Sequence, residues 1–124
     1  MLGRPFSVLF RVAFIGCIIA LVILAWLPAE DMTRTILGGR AEHLIAYLGT
    51  TLVMGLAFQR RPWVGVQCAL LIAYAAVLEV GQLYVPGRRA SVDDFAFSTA
   101  GVVVGGLLLR IARSRMIDSR HTKE

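Results

Sequence analysis

The stretch VLFRVAFIGCIIALVILAWL, residues 8–27, decides the fold class, because its 20 residues carry a single charge, Arg11. At about 1.5 Å per residue, a helix of that length crosses the roughly 30 Å hydrocarbon core of a bilayer. Arg11 lies near the start, where its aliphatic stem lets the guanidinium snorkel to the surface. A cleaved signal peptide would need a small-residue site beyond Leu27, and Pro28-Ala29-Glu30-Asp31 does not supply a clean one.

Three further apolar runs follow. Beyond a polar loop that ends near Arg40 and contains the breaker pair Gly38-Gly39, the second runs from Leu44 to Phe58 and closes at Gln59-Arg60-Arg61-Pro62. The third runs from Trp63 to about Val85, opened by Pro62 as a first-turn residue and interrupted late by Glu79 and Gln82. Val85-Pro86-Gly87-Arg88 has the Pro-Gly pair of a type II turn. The fourth runs from Phe95 to Leu109, followed by a basic tail from Arg110 to Glu124. The runs are continuous rather than alternating, and too long for barrel strands of about 10 residues. The expectation is all-α: one integral membrane domain over residues 1–124, with four transmembrane helices near 8–27, 41–58, 63–85 and 93–112.

Composition agrees. Hydrophobic residues make up 57% of the 124, and the mean hydropathy is +0.71, more than a soluble domain of this size can bury. The net charge of +5 comes from residues flanking apolar runs, the pattern of membrane orientation and not of nucleic-acid binding. Nine cations, Arg4, Arg11, Arg60, Arg61, Arg110, Arg113, Arg115, Arg120 and Lys123, fall on the side of the two termini; four, Arg34, Arg40, Arg88 and Arg89, fall opposite. The positive-inside rule then places both termini in the cytoplasm. Cys17 and Cys68 each sit within an apolar run, outside any CxxC or metal-ligand spacing, and read as small buried hydrophobes. Ten apolar residues after Cys17 argue against a lipoprotein cleavage site.

That orientation gathers the polar residues at the outer end. Glu42 and His43 open the second helix, Glu79 and Gln82 lie late in the third, and Arg88, Arg89, Asp93 and Asp94 occupy the following turn. Glu79 and Gln82 are three apart and His43 and Tyr47 four apart, so each pair shares a helix face. Glu79 lies about two turns before Pro86, a depth at which a carboxylate must face protein, water or a cation. Arg88 or Arg89 is the expected counter-charge, giving a polar vestibule under a positive rim.

Local structural roles compete with these. Ser91-Val92-Asp93-Asp94 fits a capping box, with Ser91 as N-cap and Asp94 at the third helical position. Glu42 can serve the helix dipole, Tyr47 can be an interfacial aromatic, and Glu79 can form a structural ion pair with an arginine of the turn. Gly101-Val102-Val103-Val104-Gly105 is a GxxxG element for close helix packing, within the bundle or between copies in a homo-oligomer. Asp94, Ser98, Gly101 and Gly105 fall on one face, which should turn inward. No complete catalytic motif occurs: there is no nucleophile elbow, HExxH, P-loop or dinucleotide fingerprint. His43, Glu79 and Asp94 lack a metal-ligand spacing, so neither metal nor cofactor is expected.

These elements resemble the VanZ-like family of bacterial membrane proteins. The resemblance rests on His43-Leu44-Ile45-Ala46-Tyr47, Glu79-Val80-Gly81-Gln82, Pro86-Gly87-Arg88, Ser91-Val92-Asp93-Asp94, and Ser98-Thr99-Ala100-Gly101 followed by Gly105. It covers about residues 40–106 and the apolar first helix. Ser98 stands where the family usually has asparagine and Glu42 where lysine is common, so roles needing an amide or an added positive charge there do not carry over. The family is named for a low-level teicoplanin-resistance determinant. The resemblance therefore implies a small multi-pass protein of the bacterial cytoplasmic (inner) membrane, an accessory of the cell envelope, and does not by itself imply resistance.

The function expected on this reading is binding of an anionic lipid head group or a lipid-linked cell-wall intermediate by His43, Tyr47, Glu79, Gln82, Arg88 and Asp94. The alternatives are a membrane-embedded enzyme with His43 as base and Glu79 or Asp94 as acid, and a purely structural subunit without a ligand.

Overall fold

The computed structural model describes residues 3–33, 35–59 and 63–121. Pro62 and the loop arginines Arg34, Arg60 and Arg61 used in the sequence reading lie outside them, as does Lys123. Four helices follow one another: α1 Arg4–Trp26, α2 Gly39–Ala57, α3 Val64–Gln82 and α4 Val92–His121, with a short 3-10 turn at Ala29–Asp31 after α1. No strand occurs among the described residues.

The helices run up and down. Arg11 near the start of α1 touches Ala57 at the end of α2, whereas Trp26 at the end of α1 reaches Leu78 late in α3. His43 at the start of α2 bonds Ser98 near the start of α4. The start of α1 and the end of α4 therefore lie at one end of the bundle. Helices α2 and α3 pack between α1 and α4, whose described residues make no close backbone approach to each other.

Three helices are long and apolar enough to cross a membrane by length and composition: α1, α3 and Val92–Ile117 of α4. On its exposed side α1 carries Val8, Leu9, Val12, Ile15, Ile19 and Ile23, and Leu21 is its one buried residue. A face of that kind needs lipid beside it. Helix α2 falls below the others in hydropathy for a physical reason. It buries Tyr47, Thr50, Thr51, Met54, Gly55 and Ala57 among its neighbours, so it needs fewer lipid-facing side chains. Its two threonines donate to their own helix, Thr50 Oγ1 to the Ala46 carbonyl at 2.8 Å and Thr51 Oγ1 to Tyr47 at 2.7 Å, and bury no unsatisfied hydroxyl.

Two glycines set the α2–α4 distance. A Cβ on Gly101 would stand 2.3 Å from the Leu44 carbonyl oxygen, and one on Gly105 2.8 Å from Thr51 Cβ. Of the two uses open to the GxxxG element, this chain spends it within the bundle, where absent side chains let backbones approach.

Arginines close the helix C-termini, where unfilled carbonyls concentrate negative charge. Arg11 Nε donates to the Ala57 carbonyl at 3.4 Å and Arg113 to Gly55 at 3.3 Å, both at the end of α2. Helix α3 stops at Gln82, three residues before the run's end, as bonds from Leu83, Tyr84 and Val85 tighten to the three-residue spacing. The Pro-Gly turn then forms as expected: Gly87 has φ 73° and Arg88 N donates to the Val85 carbonyl at 3.1 Å. Helix α4 outruns its expected end at 112 and continues to His121. No glycine or proline follows Gly106, and basic residues suit a helix C-terminus.

Candidate functional site

The polar residues picked out in α2, α3 and α4 meet at the end of the bundle opposite the termini. They line one open cavity of about 680 Å³, to which His43, Tyr47, Glu79, Gln82, Arg88 and Asp94 all contribute. Its other wall is apolar and comes from α1, through Leu21, Leu24 and Ala25.

The floor is built from the start of α4. Ser91 Oγ accepts from the Asp94 amide at 3.2 Å, the first half of the expected capping box. In a complete box the carboxylate of Asp94 would return the favour to the Ser91 amide. Here Glu79 of α3 does so instead, with Oε2 accepting from Ser91 N at 2.9 Å. Capping is thus shared between two helices, and the Asp94 carboxylate is released toward His43, whose Nε2 lies 3.8 Å from Asp94 Oδ2.

His43 is oriented from its other side. Its Nδ1 is 3.0 Å from Ser98 Oγ, and the single Ser98 hydroxyl proton already goes to the Asp94 carbonyl at 2.9 Å. With that donation made, Ser98 accepts from His43, which puts the ring proton on Nδ1 and turns the Nε2 lone pair toward Asp94. Ser98, 1% exposed, removes the family's amide but keeps an acceptor for His43. Its role was only partly legible: the inward face of α4 was visible in the spacing, the hydrogen bond across to α2 was not.

Glu79, 7% exposed, Tyr47, 3%, and Gln82, 4%, are buried at the cavity wall. One atom each of His43, Glu79 and Asp94 lies within 4.8 Å of the other two. Sequence separation had argued against such a cluster; the packing of α4 on α2 creates it.

One expectation is corrected. Neither Arg88 nor Arg89 supplies the counter-charge of Glu79. The Pro-Gly turn swings Arg88 over the end of α1, where it donates to the carbonyls of Leu24 and, at 3.2 Å, Ala25, while Arg89 is exposed. Carbonyls at a helix C-terminus outcompete a carboxylate already bonded to a backbone amide. Among the described residues no arginine or lysine pairs with Glu79. At the rim Arg40 pairs with Asp93, their side chains 64% and 59% exposed, and Glu42 accepts from the Thr35 amide at 2.9 Å, tying the preceding loop to α2. Sequence reasoning missed the α1 wall altogether, since leucines in a lipid-facing run carry no mark that sets Leu21 and Leu24 apart.

Comparison with curated proteins and with solved structures finds no match. Residues 12–113 match the VanZ/LLP1 family, a span that takes in α2 and α3, the greater part of α1 and α4 and every residue of the cavity, and the chain accordingly belongs to the VanZ-like family.

Proposed function

We propose that the chain is a four-span protein of the bacterial cytoplasmic membrane that binds the head group of an anionic lipid, or of a lipid-linked cell-wall intermediate, at its outer face. The observation that carries this is the two-sided cavity, with leucines of α1 on one wall and His43, Glu79, Gln82 and Asp94 on the other. An amphiphile has the same division. Its hydrocarbon chain lies along Leu21 and Leu24 while its polar head reaches the buried Glu79 and Gln82 and the half-buried His43 and Asp94, with Arg88 and Arg40 supplying positive charge at the mouth.

Helix α2 is the fourth span. Its 19 residues cover about 28 Å at the usual rise, close to the hydrocarbon thickness, and protein on several sides offsets its lower hydropathy. Arg11, Arg110, Arg113 and Arg115 lie toward the end with the termini, which supports a cytoplasmic location for that end.

The test uses the full chain in nanodiscs, with binding of a polyprenyl phosphate compared with that of the uncharged polyprenol by native mass spectrometry. The phosphate should be retained preferentially, and Glu79→Gln should weaken its retention while leaving membrane insertion intact. Equal retention of both lipids, or wild-type binding by Glu79→Gln, would overturn the reading.

The meeting of His43, Glu79 and Asp94 also favours a second reading, acid–base catalysis on such a lipid. Turnover of the lipid phosphate by purified protein, lost in His43→Ala, would select it over simple binding.

A further inference from the structure

With His43 neutral and both acids ionised, the charges around His43 do not balance without a further group. One carboxylate oxygen each of Glu79 and Asp94 and one ring nitrogen of His43 lie within 4.8 Å of one another, and His43 Nε2 is 3.8 Å from Asp94 Oδ2. Glu79 is 93% buried by its 7% exposure, and its one hydrogen bond among the described residues comes from a neutral amide, that of Ser91. Neither nearby arginine pairs with Glu79: Arg88 donates through Nη2 to the carbonyls of α1, its buried Nε without a partner among the described residues, and Arg40 pairs with Asp93. With the ring proton on Nδ1, facing Ser98, the Nε2 lone pair is turned toward the Asp94 carboxylate. Lone pair and carboxylates repel one another at this range in a low-dielectric setting, and a buried charge with no counter-ion is costly.

We propose that His43 Nε2, Glu79 and Asp94 together hold a divalent metal cation, of the Zn²⁺ or Mn²⁺ kind. Two carboxylates and a neutral imidazole carry a charge of −2, so a divalent ion makes the site electroneutral at a depth where net charge is penalised. One nitrogen and two oxygen donors suit these ions, and three protein ligands leave coordination positions open to the cavity. Donors about 2.0–2.2 Å from a tetrahedral metal stand roughly 3.4 Å apart. The His43–Asp94 pair, at 3.8 Å, is already close to that spacing, and the widest pair closes by little more than 1 Å. Ser98 is a positioning residue: a metal-bound imidazole ordinarily donates its second N–H to an oxygen acceptor, and Ser98 Oγ is in that place. A phosphate oxygen of a head group would take an open position, which explains how an acid-rich pocket admits an anion, but the metal site stands without it.

The test uses the full chain with any affinity tag removed, stripped by chelator and titrated with Zn²⁺ or Mn²⁺ alone. Metal content after desalting should be one ion per chain, and pulsed EPR of the Mn²⁺ form should show one imidazole nitrogen, a readout that needs no variant. His43→Ala, Glu79→Gln and Asp94→Asn should each weaken binding at least about tenfold, and Ser98→Ala should weaken it less. Asp93→Asn and His121→Ala should bind as wild type. The proposal falls if folded wild-type protein takes up no metal beyond an empty-nanodisc control, if no imidazole nitrogen is seen, or if uptake is lost in Asp93→Asn or His121→Ala. Where one ligand variant fails to fold by circular dichroism, the EPR signature and the remaining variants decide. Metal bound without lipid phosphate would overturn the head-group reading alone; lipid phosphate bound without metal would overturn this one alone.

Discussion

Replacing Gly101 with alanine should damage the protein out of proportion to the single methyl added. The new Cβ would stand 2.3 Å from the Leu44 carbonyl oxygen, 3.0 Å from the Leu48 nitrogen and 3.2 Å from the Leu44 carbonyl carbon. All three are backbone atoms of α2, so no side-chain rotation relieves the overlap. Ordinary contact begins near 3.4 Å, so α4 must retreat from α2 by about 1 Å. Overpacking of this kind costs about 1–3 kcal/mol. Separation also strains the His43–Ser98 bond one residue from Leu44, worth about 0.5–1.5 kcal/mol. Against these stands a gain of about 0.8–1.0 kcal/mol from alanine's helix propensity. The balance is a loss of about 0.5–3.7 kcal/mol. Gly49 is the internal control, since it lies on the same helix as Leu44 and a Cβ there meets nothing within 4 Å. Gly49→Ala should keep the propensity gain alone, up to about 1 kcal/mol. Reversible unfolding in mixed micelles with rising dodecyl sulfate, followed by circular dichroism, separates the two. Wild-type stability in Gly101→Ala, or equal loss in both variants, would refute the close α2–α4 approach.

Removing the N-cap by Ser91→Ala should cost about 1 kcal/mol in the same unfolding assay, with Ser91→Gly losing only a few tenths. Arg88→Ala should cost about 1.5–3 kcal/mol, because it leaves the Leu24 and Ala25 carbonyls without their charged donor; Arg88→Lys should recover only part of that, lacking the planar fork. Asp93→Asn, which breaks a pair more than half exposed on both sides, should shift stability by less than about 1 kcal/mol. A larger loss would mean that the rim pair supports the site and not merely its solvated edge.

The sequence was most legible where structure is dictated locally. Pro86-Gly87 specifies its turn by backbone preference alone, and Gly87 indeed takes a positive φ. Ser91 and Asp94 announce a helix start, although the box closes through Glu79, which no local rule foretells. The apolar runs mark α1 and α3 because lipid contact demands hydrophobicity on nearly every face. Helix α2 is harder to read for the converse reason: surrounded by protein, it tolerates Arg40, His43 and paired threonines, and its hydropathy falls without its ceasing to be a core element. The cluster of His43, Glu79 and Asp94 was illegible as a coordinating set, since its geometry depends on how closely two glycines let α4 approach α2. Leu21 and Leu24 were indistinguishable from lipid-facing neighbours because composition does not reveal which side of an apolar helix meets a cavity.

How the charges are allotted at the cavity end of the bundle bears on whether that end is scaffold or site. A bundle needing only cohesion would pair Glu79 with the nearest arginine, gaining attraction at no loss of shape. Instead Arg88 is spent on helix-end carbonyls, Arg40 on a rim aspartate, and Glu79 on a neutral amide. Each of these contacts helps to hold the fold, yet together they leave the Asp94 carboxylate, the Nε2 of His43 and most of the Glu79 charge directed at one cavity. Leaving acids buried and uncompensated lowers stability, and such a cost is typically retained where a ligand, ion or proton removes it. A scaffold role therefore predicts that Glu79→Gln stabilises the empty protein, because an uncharged amide keeps the bond to Ser91 while shedding the charge. That same gain is what a binding site forgoes in order to hold its ligand. The two roles separate when ligand or metal is added: in a site the stability order of Glu79→Gln and wild type reverses, whereas in a scaffold the variant stays ahead.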